Sequence, residues 1–581
     1  MMETTGKIVG VNGNMINVAF DDAVAQNEVG YASVGGAENT QQLMCEVVRI
    51  RGRIADMQVF EDTRDLMIDD SVSFSGDLLA AELGPGLLKQ IYDGLQNPLP
   101  RLAEQCGFFL QRGTYLEALD REVKWAFTPK AKPGDRLTSG ETLGTVPEGI
   151  FEHRIMVPFA LRDVYTVKSV AEAGNYTVEQ DIAVLSDSNG NEIPVQMMQR
   201  WPVKVPITSF EERLRPSETM TTRVRSVDTL FPVALGGTYC IPGPFGAGKT
   251  VLQQVTSRYA DVDVVVLAAC GERAGEVVET LREFPELEDP RTGKSLMDRT
   301  IIICNTSSMP VAAREASVYT GVTLASYYRQ MGLNVLMLAD STSRWAQALR
   351  ELSGRLEEIP GEEAFPAYLE SLIANFYERA GYVRLKDGST GSVTIGGTVS
   401  PAGGNFDEPV TQATLKVVGA FHGLSRARSD ARRFPAIDPL DSWSKYNSII
   451  EAERIDKIRQ ILREGNDVAQ MMKVVGEEGT SINDFIIYLK SELLDAVYLQ
   501  QDAFNEVDAA TPADRQRKMF TLVESAMLTD YPYTEKAEAR KFFQEITQEF
   551  IDWNQTAPEQ SEYAERRNAI QKKIEEAAVN A

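Results

Sequence analysis

The sequence predicts a multidomain α/β protein with an N-terminal β-barrel, a β-rich insertion, a domain built on a parallel sheet and a C-terminal helical domain. Short β-like runs are dense over residues 6–76 and again over residues 112–200. Apolar runs alternate with helical stretches over residues 205–435, and helical spacing of apolar residues dominates after residue 441. With 581 residues, 43% of them hydrophobic, the chain is long enough for three or four domains.

The first domain is predicted to be a small β-barrel over residues 1–76. Residues 7–11 and 15–18 are short runs rich in β-branched side chains, and the Asn-Gly pair at 12–13 between them is a hairpin signal. Similar short runs follow up to residue 76. Several short strands that cannot bury both faces alone are expected to close into a barrel.

A connector and a second β module are predicted next. Breaker clusters at residues 83–86 and 97–100 flank a short predicted helix, which is typical of a connector over residues 77–111. Residues 112–200 again alternate β-like runs with turn signals such as the Lys-Pro-Gly-Asp at 132–135. We expect this segment to form a separate β-rich insertion, or bulge, domain.

The largest predicted domain is an α/β domain over residues 201–440. Its strand-like apolar runs lie at residues 262–269, 300–304 and 335–339, with helical stretches between them. This alternation favours a parallel sheet covered by helices. Residues 441–581 are predicted to form the helical domain.

Composition excludes several classes of protein. With 84 acidic and 59 basic residues the net charge is −25, so a nucleic-acid track would have to form against the overall field. There is no run of about 18 apolar residues, and the start of the chain lacks the features of a signal peptide, so we expect a cytoplasmic location. Five widely spaced cysteines and two histidines favour reduced, buried thiols over a zinc or disulfide framework.

Residues 243–250 carry a strong chemical signal, because they fit the phosphate-loop pattern G-x-x-x-x-G-K-[ST] without a mismatch. Glycines in such a loop let backbone N–H groups turn toward phosphate oxygens, and the following helix adds partial positive charge. Lys249 is predicted to reach the β- and γ-phosphates of ATP or ADP, and Thr250 to ligate Mg²⁺. The alternative is a glycine-rich turn that only caps a helix. The predicted nucleotide-binding residues of this stretch are Gly243, Pro244, Phe245, Gly246, Ala247, Gly248, Lys249, Thr250 and Val251.

Two predicted strands end in carboxylates, which in an open α/β sheet lie where ligands gather. Asp340 follows the run at 335–339 and is the candidate metal-side residue; the alternative is that it caps the helix that begins beside it. Glu272 and Arg273 follow the run at 264–271. Glu272 is the candidate that orients and polarises the attacking water, and Arg273 is a second catalytic candidate. An ordinary salt bridge between these two neighbours is the alternative.

These motifs resemble the catalytic A subunit of V-type and A-type rotary ATPases, and the resemblance covers most of the chain. Segments inside and outside the α/β domain carry it: residues 243–250, 270–273, 305–316, 339–346, 82–88, 119–121, 359–360, 367–369 and 419–421. The sequence departs from many relatives at the His-Gly-Leu of residues 422–424, and it has Ala247 where vacuolar enzymes carry a cysteine.

The resemblance implies a catalytic subunit that hydrolyses or synthesises Mg-ATP and couples this to shaft rotation and to H⁺ or Na⁺ transport. It implies an alternating ring of three A and three B subunits, with a B-type subunit supplying an arginine in trans, together with shaft, peripheral-stalk and membrane-ring partners. Glu272 takes the water-activating role of the family. Phe421 and Phe504 match the adenine pocket, although core packing of these aromatic side chains is an equal alternative.

Other readings of the chain belong to related or different classes. An F-type β chain or a protein-export ATPase shares the core, and the long β insertion is the feature that separates them. A Rho-like RNA motor would need a basic groove, which the net charge of −25 disfavours. A non-hydrolytic nucleotide-binding subunit would normally lack Lys249 or Glu272.

Overall fold

The computed structural model describes residues 4–34, 41–107, 111–307 and 309–580. These residues separate into two compact units. The first unit comprises the described residues up to Arg215 together with Val262–Val399 and Asp407–Val417. The second unit comprises Pro216–Asp261, Ser400–Phe406 and the described residues from Val418 onward. Three positions named in the sequence analysis lie outside the described residues. They are Met1 and Ala581, the ends of the predicted domains, and residue 308, which belongs to a segment that carries the family resemblance.

The first unit begins with a closed barrel of six antiparallel strands, as the sequence predicts. The hairpin between β1 and β2 pairs Asn12 with Met15, and Gly13 between them has a φ of 60°, in the left-handed region that glycine adopts at little cost. The strand order around the barrel is β1-β2-β5-β4-β3-β6. The strands are β1 (Thr4–Asn12), β2 (Met15–Phe20), β3 (Glu28–Val34), β4 (Gln41–Arg51), β5 (Ile54–Val59) and β6 (Ser71–Leu78).

The connector differs from the sequence prediction in the position of its helix. Residues between the two breaker clusters form turns and the short strand β8 (Ile91–Tyr92), so the helix predicted between the clusters is wrong. Helix α1 (Leu99–Cys106) instead begins at the second cluster, with Pro98 at the N-cap. Proline fits the first turn of a helix, where its missing N–H has no partner to lose, so this cluster starts a helix. Strand β7 (Ala80–Leu83) pairs with β17 (Gln199–Pro202).

The insertion consists of two four-stranded antiparallel sheets, in the orders β10-β13-β15-β16 and β12-β11-β9-β14. Their inner faces share a buried apolar core that includes Phe127, Leu143 and Ile182. This arrangement confirms the predicted β-rich insertion. Its strands are β9 (Trp125–Pro129), β10 (Arg136–Leu137), β11 (Thr142–Glu148), β12 (Phe151–Met156), β13 (Tyr165–Val170), β14 (Gly174–Tyr176), β15 (Asp181–Ser186) and β16 (Glu192–Gln196).

The rest of the first unit is a parallel sheet with helices. Strands β24, β22, β20, β21 and β8 lie side by side in that order and run parallel. Helix α5 is buried along its whole length, as expected of a helix packed on a sheet. The strands are β18 (Glu212–Leu214), β20 (Val264–Glu272), β21 (Thr300–Thr306), β22 (Asn334–Asp340), β23 (Gly381–Arg384) and β24 (Thr390–Val399). The helices are α4 (Ala274–Glu286), α5 (Val311–Arg329), α6 (Thr342–Arg355), α7 (Leu369–Tyr377) and α8 (Pro409–Val417), with 3₁₀ turns at Leu296–Arg299 and Glu362–Ala364.

The second unit joins a short sheet to the helical domain. Strand β25 pairs in parallel with β19 and antiparallel with β26. The buried guanidinium of Arg225, in α2, bonds Asp508 and the carbonyl oxygens of Tyr498 and Gln500, which fixes α2 to the loop after α11. The elements are α2 (Arg225–Leu230), β19 (Thr238–Pro242), α3 (Lys249–Tyr259), a 3₁₀ turn (Ala402–Gly404), β25 (Ala420–Phe421), α9 (Arg426–Asp430), β26 (Trp443–Ser444), α10 (Ala452–Val475), α11 (Ile482–Leu494), a π-helical turn (Asp495–Leu499), α12 (Ala513–Leu528), α13 (Lys536–Asn554) and α14 (Ser561–Asn580).

None of the helices in the described ranges is both long and apolar enough to cross a membrane.

Candidate nucleotide site

The phosphate loop lies in the second unit, between β19 and α3, in the strand–loop–helix order that the motif predicts. Gly246 and Gly248 have φ values of 78° and 88°, and Gly248 occupies the N-cap of α3. Side chains other than glycine rarely adopt this left-handed region. An added Cβ at Gly243 would lie 2.8 Å from Cβ of Leu424, so this position also requires glycine. The loop is therefore more than a helix cap.

Lys249, the first residue of α3, is held by two neutral acceptors. Its ammonium group donates to the carbonyl oxygen of Gly243 at 2.8 Å and to Oγ of Ser400 at 2.7 Å. Both contacts keep the charge beside the loop, where the N-terminus of α3 adds partial positive charge. The arrangement suits an anionic ligand, since phosphate oxygens are stronger acceptors than these neutral groups.

The side chains around Lys249 differ in exposure. Phe245 is 77% exposed and Val251 is 43% exposed, and Thr250 is exposed as well. An exposed hydroxyl in the first turn of α3 is accessible to a hydrated cation. Hydroxyl and carboxylate oxygens are the ligands that Mg²⁺ prefers, so Thr250 fits the predicted role.

A second candidate region lies in the first unit, and we define it as the carboxylate edge, which consists of Glu272 and Asp340. Each is the last residue of its strand, β20 and β22, and Asp340 pairs with Ala269 in the parallel register. Burial, the charge of Asp340, and the hydrogen bond and charge of Glu276 together raise the pKa of Glu272 to about 8, while Arg344 acts in the opposite direction.

Asp340 accepts a hydrogen bond from Oγ1 of Thr398 at 2.5 Å. The N-cap of α6 is Ser341, so the alternative that Asp340 caps this helix is wrong. The carboxyl group lies at the end of a strand whose preceding residues are buried. Asp340 therefore lies at the carboxyl end of the parallel sheet.

Arginines flank Gly271, which lies at an irregularity of strand β20 just before Glu272. An added Cβ at Gly271 would lie 2.9 Å from Cδ of Arg314 and 3.5 Å from Cβ of Arg344, and Arg314 pairs with Glu351 at 3.3 Å. Arg273, the predicted catalytic arginine, is exposed at the N-cap of α4.

Sequence reasoning missed four neighbours of the two site regions: Thr398, Ser400, Glu276 and Arg344. Arg344 lies inside a segment that carried the family resemblance, so its charge was a usable signal. Glu276 comes four residues after Glu272 and was also visible. No local pattern marks Thr398 or Ser400, because each meets its partner only through the fold.

The two aromatic candidates lie in different surroundings within the second unit. Phe421 is 4% exposed and stacks on Trp443 at 6.1 Å, with Phe406 edge-on at 5.7 Å. Phe504 is 97% exposed. Core packing therefore accounts for Phe421 but not for Phe504. A cavity of about 250 Å³ runs beside the phosphate loop, with Pro244 and Phe406 in its lining.

Comparison with known proteins agrees with this architecture. Four family models match in chain order: the ATP synthase alpha/beta family β-barrel domain over residues 8–76, its barrel-sandwich domain over residues 116–204, its nucleotide-binding domain over residues 223–444, and the C-terminal domain of V and A type ATP synthase over residues 452–540. These matches define the class as ATP synthase alpha/beta subunits.

Similar relatives narrow the class. The chain is 64% identical to the V-type ATP synthase alpha chain of Treponema denticola, over 100% of this chain and 98% of that protein. It is 62% identical to V-type ATP synthase alpha chain 1 of Treponema pallidum (98% and 96% covered) and 61% identical to the alpha chain of Borrelia turicatae (98% of each). The chain therefore belongs to the V-type ATP synthase alpha chains, the ATP-binding catalytic A subunits of ion-translocating ATPases. The predicted family and enzyme class are confirmed, and the F-type, export-ATPase, Rho-like and non-hydrolytic readings are wrong.

Proposed function

We propose that this A subunit works on Mg-ATP with the phosphate loop and the carboxylate edge, in an alternating ring of three A and three B-type subunits. The observation that carries the proposal is the placement of Lys249 between Gly243 and Ser400 beside an intact loop. On binding, the ammonium group exchanges these neutral acceptors for β- and γ-phosphate oxygens, and backbone N–H groups of residues 243–250 surround the phosphates.

Thr250 and Asp340 are the proposed ligands of Mg²⁺. When bound, this cation would neutralise negative charge that develops during phosphoryl transfer. Thr398 orients the Asp340 carboxyl group through its hydrogen bond, which leaves the carboxylate with a defined direction at the sheet edge. Arg273 is proposed to contribute positive charge from the N-terminus of α4.

Glu272 is the proposed base. Partial burial and the negative charges of Asp340 and Glu276 together give it a pKa of about 8, and a general base is most effective when its pKa lies near the working pH. The carboxylate form accepts a proton from the attacking water and holds that water in line with the γ-phosphate. Arg344 favours this charged form, whereas Asp340 and Glu276 oppose it.

The subunit alone is proposed to be a weak ATPase. A trans arginine, which is worth about 10³–10⁵ in rate, comes from the neighbouring B-type subunit. The other proposed partners are the shaft, the peripheral stalk and, indirectly, the membrane ion ring that carries H⁺ or Na⁺; nucleic acid is not among them. With these partners, we propose a location on the cytoplasmic side, peripheral to the membrane.

We also propose domain bounds near residues 76, 111, 200 and 440.

The test is Mg-ATP hydrolysis by the intact complex carrying Glu272→Gln, with Glu279→Gln as a matched control on the exposed face of α4. We expect Glu272→Gln to lower turnover by about 10²–10⁴-fold while nucleotide binding is retained. Glu279→Gln should behave as wild type. Full turnover in Glu272→Gln would mean that another group activates the water.

A further inference from the structure

Three arginines meet around a cavity of about 60 Å³ in the first unit, away from the residues considered so far. Arg329 ends α5, Arg379 follows α7, and Arg213 lies in β18. Arg329 and Arg379 are only 4% and 7% exposed, whereas Arg213 reaches solvent. We call these three residues the arginine cluster.

The hydrogen bonds of the arginine cluster end on neutral oxygens. Arg329 Nη2 donates to Ile207 O at 2.8 Å. Arg379 donates from Nη1 to Val203 O and from Nη2 to Thr323 Oγ1, both at 3.1 Å. Arg213 Nη2 donates to Glu378 O at 3.1 Å and to Ala380 O at 2.6 Å. The Nε–H of Arg329 is buried and has no hydrogen-bond partner among the described residues. An unsatisfied buried donor of a charged group is costly, so this atom needs an acceptor.

Positive charge also exceeds negative charge at the cavity. Burial lowers the pKa of Arg329 to about 9, and repulsion from Arg379 and Arg213 adds to the effect. Burial likewise lowers the pKa of Arg379 to about 10. The C-terminal ends of α5 and α7 each contribute roughly half a negative charge, and the exposed Glu378 carboxylate lines the cavity. About one positive charge remains uncompensated after these contributions.

We propose that this cavity binds one small inorganic anion, a halide or a tetrahedral oxyanion, which accepts from the buried Nε–H of Arg329. Its volume of about 60 Å³ holds a few water-sized groups, far below the roughly 300 Å³ at which sites for organic ligands begin. The anion bridges the segment around residues 203–213 to α5 and α7. It thereby stabilises the first unit and plays no chemical part in ATP turnover.

Thermal unfolding of the full chain tests this proposal. At constant ionic strength, chloride should raise Tm of the wild type by about 2 °C relative to gluconate, which is too large to enter. Inorganic phosphate is compared in a Lys249→Ala background, because the phosphate loop would otherwise bind it. Arg329→Gln should abolish the response, and Arg384→Gln, an exposed arginine paired with Glu212, should keep it. A response to chloride alone or to phosphate alone identifies the anion class.

The proposal is overturned if neither chloride nor phosphate raises Tm of the chain whose cavity is unsubstituted. It is also overturned if these anions change Tm of Arg329→Gln and Arg384→Gln alike. Should Arg329→Gln not fold, diffraction from wild-type crystals grown with bromide or selenate decides. We expect an anomalous peak within about 3.5 Å of Nε of Arg329. Crystals from both salts with no peak in this cavity contradict the proposal.

Discussion

The phosphate loop and the carboxylate edge differ in the surroundings of their charged side chains. In the loop a single cation, Lys249, rests on neutral acceptors, with backbone geometry supplied by glycine. At the edge, the negative charge of Asp340 and burial both push Glu272 toward its protonated form. The comparison teaches that the loop owes its geometry to the backbone, whereas the pKa of Glu272 at the edge is set by burial and by its side-chain neighbours.

Loss of the Lys249 cation should have the largest effect of the changes made in the loop. Lys249→Ala in the intact complex should lower ATP turnover by about 10²–10³-fold and weaken ADP binding, because the phosphates lose a preorganised charged donor. Steady-state hydrolysis and calorimetric titration of Mg-ADP measure the two effects. Lys457→Ala, at an exposed position of α10, is the control. Equal behaviour of the two variants would remove the loop from the account.

Phe421 and Phe504 separate packing from base binding. Phe421→Ala should cost about 3–5 kcal/mol of unfolding free energy, since it removes a buried ring stacked on Trp443. Phe504→Ala should change the free energy of unfolding by less than about 0.5 kcal/mol, because the ring is exposed. If Phe504 stacks on adenine, its variant should instead weaken ATP binding by about tenfold. Denaturant unfolding and nucleotide titration of both variants check these outcomes.

Ser400→Ala sharpens the comparison by removing a side-chain acceptor from the loop. The Lys249 ammonium group then keeps Gly243 but loses a charge-assisted bond that it would give up on nucleotide binding, so kcat/KM of the complex should rise by no more than about tenfold. Ser448→Ala, in the same unit, removes a hydroxyl that bonds the carbonyl oxygens of Asp228 and Thr229 and serves as the control. A loss as large as that of Lys249→Ala would show that Ser400 itself contacts substrate.

The smallest expected effect concerns the edge. Glu276 raises the pKa of Glu272 by hydrogen bonding and by charge, so Glu276→Gln should move the acid limb of the kcat/KM profile to lower pH by less than about one unit. The plateau at high pH should change little. A profile that moves to higher pH would contradict the arrangement of charges described for this edge.

The loop could be predicted from the sequence because its chemistry is local: eight consecutive residues specify both the backbone and the cation. The carboxylates could be located because strand ends are visible as the last residues of apolar runs. The partners Thr398 and Ser400 could not, since each lies far along the chain from the residue it contacts. The sequence pattern misplaces the connector helix because Pro98 and Pro100 are typical of a break as well as of a helix start, where proline is favourable.

The aromatic residues show a further limit of the sequence. Phe421 and Phe504 have the same side chain and the same family correspondence, yet one is 4% and the other 97% exposed. Exposure depends on Trp443 and Phe406, which meet Phe421 only in the folded chain. Equal alternatives were therefore the proper expectation before the structure.

The pH dependence of kcat/KM for Mg-ATP in the intact complex tests the central claim most directly, because it reports the essential base of the free enzyme. In the proposed role the deprotonated form of Glu272 is the active one, and because its pKa is about 8, kcat/KM should rise with pH and level off above that value. The residual activity of Glu272→Gln should lack this limb. A wild-type profile that is flat from about pH 6 to 9, or a limb that persists in Glu272→Gln, would contradict the assignment of Glu272 as the base.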